Sequence, residues 1–199
     1  MAHKDADIIR KFMEYVRNLP PEKFLRSMLL CFCAPTIAGL KAAVLINFRR
    51  GINENMRSLW LEHSGGWLCS LNVQSILLNE HGNNALVLLY RRELLAEVLG
   101  CSEACSILRE YGYPLHDLDA CLECLRGRLC GEFPHEIGLF LDYPPEDVRG
   151  FIEKRAAKKL SCPCCYWKVY GDAEKARRKF LMYKQAECEA ARKILAGEL

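Results

Sequence analysis

No apolar run in this chain approaches the roughly 20 residues that a bilayer-crossing helix requires, which removes helical membrane-spanning functions from consideration. The opening MAHKDADIIRKF mixes both signs of charge, whereas an export leader places a basic region before an apolar one. A cytoplasmic location and no membrane partner are the expectations. Also missing are the GxxxxGK(S/T) phosphate loop, a GxGxxG after a strand, HExxH and GxSxG. Nucleotide hydrolysis, dinucleotide oxidoreduction and the common metallohydrolase and serine hydrolase chemistries therefore lack their signatures. No low-complexity linker and no internal repeat divides the chain, so residues 1–199 are expected to fold as a single domain.

What is present suits one substantial core. Hydrophobic residues make up 51% of the chain and charged residues 27%, the proportions of an ordinary globular domain. The net charge of +3 hides an asymmetry, because residues 149–199 hold 13 Lys and Arg against 6 Asp and Glu. A solvated helix face is the ordinary cause of such a bias, and an anionic partner the less ordinary one. Twelve cysteines would form a disulfide scaffold in a small secreted protein, but without an export signal reduced thiols are expected. Cys101 and Cys105 stand one helical turn apart, as do Cys121 and Cys124, where burial would use them as small hydrophobes.

Periodicity predicts helices over 6–18 and 22–32, then a turn and short helical piece from Cys33 to Leu40. Ala43 to Phe48 is a buried strand, and a helix over 53–63 ends at the Gly65-Gly66 pair. Strands at 72–79 and 85–91 flank a turn at His81-Gly82-Asn83-Asn84. Helices follow at 92–99, 102–111 and 116–130. A further strand is expected through Tyr166-Trp167-Lys168-Val169-Tyr170, then a last helix capped by Asp172 and stopped by Gly197. The sum is an α+β fold, with a small, mostly antiparallel sheet of about four strands among many helices.

The most distinctive stretch is FPHEIGLFLDYPPEDVRGFI, Phe133 to Ile152. Ile137, Phe140 and Leu141 fall at i, i+3, i+4, as do Val148, Phe151 and Ile152, so two short helices each offer a narrow apolar stripe. Pro134 and Pro145 suit first-turn positions, and Glu146 with Asp147 complements the positive end of the second helix. The strings CAPTIAGLK, ALVLLYRRELL, FPHEIGLFLDYPPEDVRGFIE and YWKVYGDAEKARRKF occur in this order. Together they resemble domain of unknown function 3793, an uncharacterised family of anaerobic Firmicutes. The resemblance spans nearly the whole chain and implies one full-length domain, with no activity to carry onto any residue. Where such families have a glycine between the two short helices, this chain has Asp142, which tolerates left-handed backbone better than most residues.

The same pair matches helix-turn-helix spacing through Ile137, Gly138, Leu141, Asp142, Val148 and Phe151. As a DNA reader, its second helix would lead with Pro144, Pro145, Glu146 and Asp147, where phosphate repels negative charge. Lys154, Arg155, Lys158 and Lys159 lie beyond and could hold a nucleic-acid backbone. A plain helical hairpin in a larger core is the simpler reading.

Cys162, Cys164 and Cys165 form the densest thiol cluster and follow a basic stretch that favours thiolate, and hence metal or redox chemistry. Zinc and iron are the metals to seek there. A tetrahedral zinc site needs four ligands, and Cys121 with Cys124, or Cys188, could be recruited only by the fold. A dithiol switch needs only two thiols, and the plain alternative is a set of cysteines in a turn before a strand. Cys33 precedes Ala34-Pro35-Thr36, and a helix starting at Pro35 would favour a thiolate nucleophile there. Such a nucleophile needs a base, for which His135 and His63 are the candidates. His135 serves equally well as a cap or a backbone partner. Tyr166, Trp167 and Tyr170 around Lys168 make either a stacking face for a ligand or the packed side of a core strand. The expectation is a cytosolic binding or regulatory protein, metal- or redox-responsive through its cysteine cluster, with a protein or small-ligand partner rather than nucleic acid. The alternatives are a thiol-dependent enzyme using Cys33 and a weak nucleic-acid binder using residues 133–155.

Overall fold

A computed structural model describes residues 2–48, 56–81, 84–155 and 166–198. Helix α1 (Ala2–Val16) is parted by the Pro20-Pro21 break from α2 (Pro21–Phe32), which begins on a proline whose missing N–H costs nothing at that position. A single turn, α3 (Ala34–Ile37), leads to strand β1 (Ala43–Phe48). Helix α4 (Met56–Cys69) precedes the hairpin of β2 (Gln74–His81) and β3 (Asn84–Tyr90). Then come α5 (Arg92–Gly100), α6 (Ser102–Glu110), α7 (Leu118–Arg128), the short pair α8 (Ile137–Phe140) and α9 (Pro145–Ile152), and the long α10 (Ala173–Ala196). The ends of α10 follow from local chemistry. Asp172 accepts the N–H groups of Glu174 and Lys175, and Gly197 takes the left-handed φ of 75° that closes the helix.

The sheet is antiparallel with order β1-β3-β2. Its central strand is packed on both faces, which is why residues 85–90 are apolar without interruption. Leu86, Leu88 and Tyr90 belong to a core shared with Leu95, Ile107, Leu125 and Phe140 from the later helices. Ala85, Val87 and Leu89 belong to another, built with Leu25 of α2 and Met56 and Trp60 of α4. Helices α1, α2 and α10 share a third cluster around Phe12, Val16, Cys31, Ala191 and Ile194.

Three local expectations are overturned. His81 and Asn84 pair with each other as the last residue of β2 and the first of β3, rather than lying in the turn. Among the described residues the sheet has three strands rather than about four, because residues 166–170 are irregular. Their aromatic alternation suits a strand, but the N–H groups of Tyr170 and Gly171 each bond the Asp147 carboxylate at 2.6 Å. A side chain has taken donors that a neighbouring strand would need. The Gly65-Gly66 pair does not stop α4, which continues to Cys69. Glycine costs a helix about 1 kcal/mol per residue relative to alanine, and packing of Trp60, Trp67 and Leu68 beneath the sheet outweighs it. No helix among the described residues is long and apolar enough to cross a membrane.

Candidate functional site

The tandem helices are held from both sides. Just before α8, buried Glu136 pairs with Arg128 and accepts the Tyr113 hydroxyl at 3.1 Å. That pins the turn to α7 and leaves the neighbouring His135 at the surface, in the turn rather than as a helix cap. Between the helices, Asp142 adopts φ 60°, the left-handed conformation its residue type tolerates. Its carboxylate pairs with Lys179 at 3.0 Å and accepts the Tyr183 hydroxyl at 3.3 Å, so the turn is fastened to α10. Gly138 lets α9 come close, since a Cβ there would stand 2.9 Å from Val148 Cγ2.

Asp147 does most to shape the surface above. Only 2% exposed, it accepts the Trp167 indole N–H at 2.7 Å and the two backbone N–H groups of Tyr170 and Gly171. Residues 166–171 are thereby drawn across α9, with Tyr170 packed against Gly150, where an added Cβ would stand 2.5 Å from the ring. Between this segment and α8–α9 lies a groove of about 440 Å³. Buried Ile137, Gly138, Leu141 and Val148 line it, and the stacked rings of Tyr143 and Trp167, 4.9 Å apart, form a wall. Phe133 and Phe151 line it too, although they are 55% and 39% exposed. The Lys168 ammonium lies 5.5 Å from the Phe151 ring centre, and His135 meets the same ring edge-on at 5.0 Å.

Tyr143 also belongs to a second, polar cluster. Lys41, 7% exposed, places its ammonium 5.7 Å from the ring centres of Tyr143 and Tyr183 and 5.8 Å from that of Tyr166. Burial pulls its pKa down to about 8, opposed by the nearby Asp142 carboxylate. Glu187 flanks the same cluster, accepting the Tyr166 hydroxyl at 2.7 Å and pairing with Lys184 at 3.1 Å. The loop that carries Lys41 is tied down by Arg91, whose Nε donates to the Thr36 carbonyl at 2.8 Å.

The family described as "Protein of unknown function (DUF3793)" matches residues 29–199, a span that includes the groove and the Lys41 cluster. The chain belongs to that family. No curated protein and no solved structure matches it.

In this DUF3793 protein the sequence candidates are dispersed. Cys33 is 3% exposed within the core beneath the sheet, and burial pushes its thiol up to about 12. The four-residue α3 that follows it does not offset that desolvation. His135 lines the groove, whereas Cys33 lies in the core beneath the sheet, and His63 stacks on Trp67 at 5.4 Å. Cys162, Cys164 and Cys165 lie outside the described residues. Cys121 donates to the Pro114 carbonyl at 3.2 Å and Cys188 to that of Asp5 at 3.7 Å, and no metal-ligand cluster occurs among the described residues. Sequence reasoning missed Tyr143, the acceptor role of Asp147, and Lys41. For Lys41 no local signal existed, since a lysine before an apolar run ordinarily keeps its ammonium in water, and it is three tyrosine rings distant in sequence that enclose it.

Proposed function

We propose that the protein is a cytoplasmic binding protein with a regulatory role, and that it holds a small, largely apolar molecule in the groove between α8, α9 and residues 166–171. The observation that carries this reading is the pairing of Trp167, fixed by Asp147 at one wall, with the partly exposed Phe151 across an opening of about 440 Å³. Small-molecule pockets span about 300–1,000 Å³ and are lined by apolar and aromatic groups with a few placed polar ones. The stripe of α9 would put Phe151 in the core, yet the ring stands beside the groove. Covering it would contribute about 25 cal/mol per Å² of apolar surface.

Two observations favour binding over the alternatives. The Cys33 thiol is buried and held protonated, the opposite of an activated nucleophile. Helix α9 is partly covered, with Asp147 of its first turn buried and Gly150 farther along beneath Tyr170, where a DNA reader needs an open face. Equilibrium dialysis of a mixture of apolar metabolites, read by mass spectrometry, tests the groove. Retention by the natural protein and loss by Phe151→Asp is the expected result, and equal retention by both excludes it. A metal- or redox-responsive role for Cys162, Cys164 and Cys165 belongs to the same proposal. Zinc or iron in protein purified anaerobically, lost on replacing these residues by Ser, would support it; unchanged metal content and thiol reactivity would reject it.

A further inference from the structure

We infer that the molecule held in the groove is an organic anion: an apolar body bearing a carboxylate, whose head meets Lys168 with His135 beside it. The inference rests on the groove being a binding site, and it comes from how the charges along the groove are used. Three side chains there can carry charge: Asp147, Lys168 and His135. The Asp147 carboxylate is buried and already accepts three N–H groups, so it has little capacity left for a ligand. Lys168 is exposed and forms no ion pair with a carboxylate among the described residues. It and His135 both lie against Phe151, so the polar donors converge on a ring that is partly open to solvent.

Aromatic lining by itself would suit a cation as well, through the faces of the rings. Here Lys168 already lies over Phe151, and no unsatisfied carboxylate lines the groove to balance a second positive charge. A carboxylate reverses that balance. It would gain a charge-assisted hydrogen bond from Lys168 and a further donor in His135, while its body covers Phe151, Leu141 and Val148. The body can be a flat aromatic or an acyl chain, since the groove offers both ring and branched aliphatic surface.

Calorimetric titration of the full chain tests this with 1-naphthoate against 1-naphthamide and octanoate against octanamide. At least one acid should bind about tenfold or more tightly than its amide, the margin of one charge-assisted bond. Preference in the naphthyl pair alone would identify an aromatic acid, and in the octanoyl pair alone an acyl chain. Lys168→Glu should erase the preference and Lys168→Arg should keep it. Acids and amides binding equally would overturn the anion assignment while leaving the groove as a binding site. Tighter binding of 1-naphthylmethylammonium would overturn it in favour of a cation. No binding by any of these compounds would overturn both the assignment and the proposed function.

Discussion

Trp167 donates its indole N–H to the Asp147 carboxylate at 2.7 Å, so the wall of the groove is fastened to the first turn of the helix beneath it. The other carboxylate oxygen takes the backbone N–H groups of Tyr170 and Gly171. An acidic residue that sequence alone places at a helix start for its charge is, in the fold, the anchor of a separate segment.

Asp147→Asn preserves shape but turns one acceptor into a donor facing a donor. The expected loss is about 3 kcal/mol in urea denaturation, with a changed near-ultraviolet circular dichroism signal from Trp167. A loss below about 1 kcal/mol would show that packing alone holds residues 166–171.

Gly138→Ala should destabilise by about 1–3 kcal/mol, because its new methyl meets Val148. Combining it with Val148→Ala makes room, so the double variant should lose less than the sum of the single losses. Strict additivity in equilibrium denaturation would mean that the helices separate by some other adjustment.

Lys41 gives a signed pH dependence. Its proton is lost near 8 in the folded chain and near the ordinary 10.5 in the unfolded one, so between these values the unfolded state binds more protons. Stability from this group therefore rises with pH across that window. Below pH 8 the buried charge costs on the order of 3 kcal/mol, a cost that vanishes above 10.5. Cys31 and Cys33, pushed up to about 12 by burial, act in the opposite sense above pH 9. Comparison with Lys41→Met removes that background. The variant should be the more stable protein below pH 8 and should converge with the natural one towards pH 10.5. A difference in unfolding free energy that stays constant from pH 7 to 10.5 would refute the assignment.

Among the cysteines of the described residues, iodoacetamide labelling followed by peptide mass spectrometry at neutral pH should modify Cys69 and Cys130, both exposed, first. Cys31 and Cys33 should react at least about tenfold more slowly, since burial limits both access and thiolate. A Cys33 that reacts fastest would restore the thiol-enzyme alternative.

Much of the scaffold is legible residue by residue. The boundaries of β1 follow from an apolar run after a turn, those of α10 from Asp172 and Gly197, and the left-handed turn from Asp142. These are local matters of backbone preference and capping, and neighbours in sequence suffice to settle them. Residues 166–170 and Gly65-Gly66 were misread because a distant partner outweighed a local preference: Asp147 in one case, the packing of Trp60 and Trp67 in the other. The groove was legible only in pieces. Its aromatic segment and its helix pair are visible in the sequence, but their juxtaposition is not.

The sequence by itself determined the α+β class, the family, the helix pair and the absence of the common catalytic motifs, since each depends on spacing along the chain. Tertiary structure decided what the polar residues do. It buried Cys33 away from His135, enclosed Lys41 among three tyrosine rings and put Lys168 beside Phe151. The physical reason is that a charge or thiol takes its properties from desolvation and from partners across space, and neither is encoded by its neighbours in the chain.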